Sequence, residues 1–352
     1  MNGKSPNVGF SKGASVGTNW AVRRASAFSA LVVFILLQTR IALPQEVPKQ
    51  LADWWRAHAP VCLAPDGFKF PAKQVDGQCD DGDATLFAGL LCASGETIGC
   101  DAVKRSQDPT GRWFRSPRRS QSDNLGEPNS FSPDMALGVQ LYVGARSDKD
   151  NFGKWLNWLD AHRTCWIGGG DNCVRSVMLR FCTDDTQNGC TLRPGDGAML
   201  DATTQKLDVY PPSQDVRYLL HQMGINRFDI LFADSQFNKP GFSQHLVAVE
   251  IYLLRLLGYS DPRLIGAAFA LAQKQPNNPF FLYLSEGRTA KVLDLTLNLC
   301  PSPTTGLPAK MAQWAWERED GDQAWKESML WDCIFMASTY FSWIVSRDSR
   351  YG

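Results

Sequence analysis

Ser132-Pro133-Asp134-Met135-Ala136-Leu137-Gly138-Val139-Gln140-Leu141-Tyr142-Val143 decides the fold class. Its first three residues form a compact helix start. A serine cap can accept backbone N–H groups, a proline at the first position has no N–H to leave orphaned, and an acid in the first turn faces the positive end of the helix dipole. The spacing predicts a helix to about residue 143, and residues 152–162 supply its return partner.

The same helix-and-return pattern recurs outward in both directions. Upstream it predicts helices over 50–58, 83–93 and 100–107. Residues 165–212, rich in Gly, Asp, Thr and Cys, read as disulfide-tied loops around a short helix at 174–182. Downstream, helices are expected over 213–223, 243–257, 262–274, near 280–284, 290–299, 308–318 and 323–345. β-branched alternating runs are scarce, so the expectation is an all-α domain over 60–352, preceded by a linker and short helix at 44–59.

Roughly twelve helical segments in hairpin order resemble the six-hairpin (α/α)6 toroid of many glycoside hydrolases and polysaccharide lyases. Asp81-Gly82-Asp83, Gly111-Arg112-Trp113-Phe114-Arg115-Ser116-Pro117 and Ser130-Phe131-Ser132-Pro133-Asp134 resemble the inner-helix entrances of that superfamily. The resemblance covers about 60–346, matches no single family's motif and carries over no catalytic residue. It implies a saccharide-cleaving enzyme. An α-solenoid is the rival fold, although no repeat of fixed period is visible.

Residues 1–24 carry Lys4, Lys12, Arg23 and Arg24 without an acid, and residues 25–37 are uninterruptedly apolar or small. This is the layout of an export signal, too short for a simple membrane span. No clean small-x-small cleavage site follows, so residues 1–43 are expected to be either a signal peptide or a retained N-terminal anchor. Either places the body outside the cytosol, as a secreted, periplasmic or envelope protein. The cysteines, Cys62, Cys79, Cys92, Cys100, Cys165, Cys173, Cys182, Cys190, Cys300 and Cys333, are even in number and all lie beyond that segment. The equal spacing within Cys92/Cys100, Cys165/Cys173 and Cys182/Cys190 suggests local bridges, leaving Cys62/Cys79 and Cys300/Cys333 for one another. Sequence alone leaves that connectivity open.

Basic and acidic side chains balance at 36 each, which gives no reason to expect a nucleic-acid partner. No Cys-x-x-Cys occurs, and His58, His162, His221 and His245 are scattered, so no metal site is expected. No Gly-x-Ser-x-Gly elbow, phosphate-binding glycine loop or His-Glu-x-x-His is present, and no cofactor is expected.

The candidates for chemistry are carboxylates at helix entrances and inside apolar helices. Asp83 and Asp134 stand at helix starts, where a pair of acids flanking a glycosidic bond can act as acid and base; simple capping is the plain alternative. Asp81 shares such a position. Glu250 lies in a helix apolar on nearly every side, where desolvation raises a carboxyl's pKa toward that of a general acid. His245, near the start of the same helix, is a candidate base, and Asp332 falls on an inward-facing stripe. Arg112 and Arg115 flank Trp113 within a run of six basic residues, a pattern suited to gripping an acidic saccharide while an indole face carries a sugar ring. A polysaccharide, anionic by this reading, is therefore the expected partner. Hydrolysis is the leading expectation. β-Elimination on a uronate, using His245, Tyr252 or Tyr283 as base, is the second, and a non-catalytic envelope protein binding glycan or another protein is the third.

Overall fold

The computed structural model describes residues 49–168, 172–185, 189–318 and 326–348, with side chains described as far as Thr339. The basic stretch and residues 25–37 lie outside the described residues, as do Gly169, Gly170 and the expected start of the last helix at 323. All described residues belong to one compact unit, 46–352. No helix among them is long and apolar enough to cross a membrane.

The protein is mostly helical, with fourteen α-helices among the described residues. They are α1 Lys49–His58, α2 Ala84–Ser94, α3 Thr97–Arg105, α4 Pro117–Ser120, α5 Pro133–Arg146, α6 Lys149–Ala161 and α7 Pro194–Leu207. The second half holds α8 Gln214–Ile225, α9 Arg227–Phe237, α10 Phe242–Leu256, α11 Pro262–Lys274, α12 Pro279–Glu286, α13 Ala290–Leu299 and α14 Trp331–Asp348. Three two-stranded antiparallel hairpins accompany them: β1 Val61–Leu63 with β2 Lys69–Pro71, β3 Lys73–Val75 with β4 Gln78–Asp80, and β5 Cys165–Ile167 with β6 Val174–Arg175.

Sequential helices pack as pairs, and α2 and α5 make the closest crossing. Glycine permits it: a Cβ on Gly89 would lie 2.2 Å from the Gly138 carbonyl oxygen, and one on Gly138 would lie 2.2 Å from that of Thr85. Real side chains never approach backbone so closely, so the two helices touch main chain to main chain. The nearly all-apolar helix α10 packs against α5, α7, α9, α11 and α12, which is why it lacks a polar stripe. The last helix, α14, returns to pack on both α1 and α2. Trp331 Nε1 donates to the Pro60 carbonyl at 2.7 Å, and Trp55 Nε1 donates to that of Pro301 at 2.6 Å. These bonds tie the described chain's two ends together and satisfy indole donors inside an apolar core.

All ten cysteines are bridged, as Cys62–Cys79, Cys92–Cys100, Cys165–Cys173, Cys182–Cys190 and Cys300–Cys333. This is the pairing that the spacing suggested, and such a framework belongs to an oxidising compartment.

Several local expectations are corrected. Residues 174–182 are a β-strand and loop, and of 308–318 only Ala315–Glu317 is helical, as one 3-10 turn. Three helices, the single-turn α4 and the longer α7 and α9, stand where none was expected. Gly195 and Gly197 in the first turn of α7 read as loop residues, but Gly197 is there for packing, since a Cβ would meet Met223 Sδ of α8 at 2.2 Å. α9 begins at Arg227 with only Asn226 between it and α8, and Gly224, which reads as a stop, is there for packing, since a Cβ on it would lie 1.9 Å from Asp201 Oδ2.

Candidate functional site

The starts of α2, α5 and α7 come near one another, and their acids face common surroundings. Asp83 is the N-cap residue of α2, yet its carboxylate caps nothing. It is held instead by Lys73 of β3, with Nζ at 2.7 Å from Oδ2, and Arg115 Nη1 stands 3.7 Å from Oδ1. Burial works against the Lys73 ammonium, but the Asp83 and Asp80 carboxylates keep its pKa above the ordinary value. Burial raises the pKa of Asp134, in the first turn of α5; the Ser132 hydroxyl works against that rise and the nearby Asp83 charge adds to it. At the start of α7, Arg193 makes a two-pronged ion pair with Asp196, at 2.9 Å and 3.1 Å, and also faces Asp134 and Glu250.

Two further carboxyls complete the group. Glu250 of α10 faces Asp196 and Asp234 of α9, and burial together with those like charges pushes its pKa up to about 8, against the opposing effect of Arg193. The α10 side lies beneath the start of α7, where a Cβ on Gly195 would meet Glu250 Oε1 at 3.9 Å. Glu317 ends the 3-10 turn; burial and the neighbouring Asp83, Asp134 and Asp332 charges push it up to about 8, and Lys73 only partly offsets them. Its Oε2 is buried without a hydrogen-bond partner. The turn itself is set by Asp332, a fully buried carboxyl accepting from Ala315 N at 2.7 Å, Ser328 Oγ at 2.7 Å and Cys333 N at 2.8 Å. Asp83, Asp134, Glu250 and Glu317 are each partly exposed, although Oε2 of Glu317 is itself buried.

The other expected site residues stand elsewhere or are otherwise engaged. Trp113 is fully buried and offers no face to a sugar; its Nε1 donates to the Val103 carbonyl at 2.7 Å, and its ring stands edge-on to Trp155 at 5.6 Å. The reason is the dense aromatic core formed with Phe131, Phe152 and Phe181. Arg112 donates to Asp184 at 3.0 Å and to Ser130, and it lies over the Phe114 ring at 4.5 Å. Arg115 donates to the Gly82 carbonyl at 2.9 Å and the Asn129 carbonyl at 3.0 Å, which leaves it a brace beside Asp83. Arg118 and Arg119 both grip the buried Asp81, so burial's upward push on its pKa is outweighed by Arg118, Ser116 and Arg119. The basic run therefore closes internal ion pairs.

His245 is fully buried between Phe280 and Trp314, with both ring nitrogens unpartnered. Burial lowers its pKa to about 3, and no proton acceptor role open to solvent remains for it. The Tyr252 hydroxyl is pushed up by burial and donates to the Ala93 carbonyl at 3.3 Å. Burial also raises Tyr283.

Lys73, Arg193, Asp196, Asp234 and Glu317 were not picked out as site residues in the sequence. The Arg193–Asp196 pair, one helical turn apart across Pro194, was the signal that could have been found. No known protein family, curated protein or solved structure matches the chain.

Proposed function

We propose that this protein is an exported glycoside hydrolase, with Glu317 as the general acid and Asp83 as its partner carboxylate. The observation that carries this reading is Glu317 itself. It is a carboxyl raised to about 8 and unpartnered at Oε2, partly open to solvent, in the field of an Asp83 that is ion-paired with Lys73. Glycosidic cleavage needs one carboxyl that still holds its proton near neutral pH and a second that is charged, and environment separates such a pair. Lys73 and Arg115 hold Asp83 in position, and the Asp332 network orients the turn that carries Glu317. Asp134 stands near both carboxyls, and its charge adds to the upward push on Glu317.

The ring arrangement of an (α/α)6 toroid is the finer form of this proposal. The return of α14 onto α1 and α2 supports it over an open solenoid, which would leave its terminal helices apart. Elimination is the poorer reading because His245 is sealed in the core and both candidate tyrosines hold their protons tightly.

The test is a panel of neutral, cationic and anionic polysaccharides incubated with the disulfide-intact protein. New reducing ends without ultraviolet absorbance from an unsaturated sugar are expected, and Glu317→Gln should lower the rate at least about 100-fold. Unsaturated products would mean a lyase; a Glu317→Gln variant as fast as the parent would remove the proposed acid.

A further inference from the structure

We propose that the cavity between the end of α7 and the start of α8 binds one acidic sugar residue, at a site separate from the carboxyls around Glu317. The proposal stands on the cavity's own geometry and does not need the hydrolase reading. The cavity holds about 530 Å³, within the range of small-molecule sites, and Asp201, Gln205, Tyr210, Arg217, Leu220 and His221 line it. The two helices press together where a Cβ on Gly197 would meet Met223 and one on Gly224 would meet Asp201. Nearer the joining loop 208–212 larger side chains stand on α8, and the cavity lies between them and α7. Asp196 in the first turn of α7 and Gln205 near its end are about 13 Å apart along the helix, which sets the cavity toward the opposite end of α7 from the candidate acids.

A buried acceptor on the cavity wall points to a ligand. Asp201 is only 4% exposed, and its Oδ2 accepts from both Arg227 Nη2 at 2.6 Å and Gln205 Nε2 at 2.7 Å, while Oδ1 has no donor among the described residues. Gln205 has spent its amide on that carboxylate and offers its own carbonyl oxygen beside it. Hydroxyl groups entering the cavity would complete both acceptors. Burial raises the Asp201 pKa, and Arg227, Gln205 and His221 act against that rise, which puts His221 within electrostatic reach of the carboxylate. Because Arg227 pairs with Asp201, the charge left over at the cavity is that of Arg217. Among the described residues Arg217 forms no ion pair: Nε and Nη2 donate to the Pro211 and Pro212 carbonyls at 2.6 Å and 3.0 Å, and Nη1 donates to nothing. Those two bonds also pin the proline loop that carries Tyr210, so the wall is set before a ligand arrives. The matching ligand has hydroxyls for Asp201 and Gln205, one negative charge for Arg217, and an apolar ring face for Tyr210 and Leu220. A neutral sugar leaves the Arg217 charge unmatched, a fatty chain leaves the acceptors dry, and a bare carboxylate brings no hydroxyl.

Ligand-observed NMR titrations of the full, disulfide-intact chain with glucuronate, glucose, glucosamine and acetate test this directly. Glucuronate should bind at least about tenfold tighter than each of the other three, and its binding should weaken as salt rises. Arg217→Gln should bring glucuronate down to the level of glucose. Arg217 also holds the loop, so Tyr210→Ala is the second variant: Tyr210 is 43% exposed and makes no hydrogen bond among the described residues, so its loss spares the fold. That variant should weaken glucuronate about tenfold. No glucuronate binding, equal binding of glucuronate and glucose, or acetate as tight as glucuronate overturns the proposal. Glucuronate binding that neither variant weakens, or that Glu317→Gln abolishes, places the sugar elsewhere and overturns it too. If glucuronate binds as expected and no polysaccharide is ever cleaved, the cavity keeps its ligand and the hydrolase reading alone fails.

Discussion

Replacing Glu317 with glutamine should make the protein more stable at pH 8 than its parent while abolishing turnover. The sign follows from proton binding. In the native state Glu317 holds its proton up to about pH 8, whereas in the unfolded chain it loses it near the ordinary 4.5. Between those values the native state binds more protons than the unfolded state, so stability falls as pH rises. It is full below 4.5 and reaches its floor above about 8. Each unit of displacement corresponds to about 1.4 kcal/mol, so the span sets a ceiling of about 5 kcal/mol on the loss. Glu317 is partly exposed, and solvent screening brings the expected loss to about 2 kcal/mol. Glutamine carries no charge to desolvate, so it escapes that loss. Asp83, Asp134, Asp332 and Lys73 surround the carboxyl in both proteins, and Glu250 titrates in both, so the difference between parent and variant isolates Glu317. The assay is urea unfolding with disulfides intact at pH 5 and pH 8. The variant should gain about 2 kcal/mol relative to the parent between the two conditions. A gap that does not change with pH would refute the reasoning that burial raises this carboxyl.

Trp113→Ala should cost about 3–5 kcal/mol in unfolding measurements by opening a cavity among Trp155, Phe131 and Tyr142, while folded protein at low temperature keeps its KM; a raised KM without loss of stability would return Trp113 to the substrate. Gly138→Ala should lower the denaturation midpoint by at least about 3 kcal/mol in stability, because the added methyl has only the Thr85 and Leu86 backbone to enter; a neutral result in the same urea assay would mean that α2 and α5 do not cross so closely.

Some of this was legible in the chain and some was not, for identifiable reasons. Ser132-Pro133-Asp134 starts α5 because a missing N–H at Pro133 and a first-turn acid act over neighbouring residues; the Ser132 hydroxyl makes no cap bond and turns to Asp134 instead. Three equal cysteine spacings led to local bridges for a similar reason: short loops bring their own ends together. Asp83 and Asp134 could be picked out at helix entrances, and Glu250 inside an apolar helix. Helices α7 and α9 were missed because the glycines of Gly195-Asp196-Gly197 argued against one and Gly224-Ile225-Asn226 lies directly before the other, and packing against α8 and α11 decided both.

The even cysteine count and the dominance of helix were thus determined by sequence alone, since each is a matter of composition or of contacts a few residues long. The use of each charge was decided only by tertiary structure. Arg112 and Arg115 looked like a ligand grip in the sequence, but in the fold Asp184 closes on Arg112 from 72 positions away and Arg115 braces the Gly82 and Asn129 carbonyls. Glu317 became a candidate acid only when the fold set it beside Asp83 and Asp134 and removed the water from its Oε2. A carboxyl's chemistry depends on the dielectric and the charges within a few ångströms of it, and in a helical fold closed by its last helix those neighbours come from distant parts of the chain.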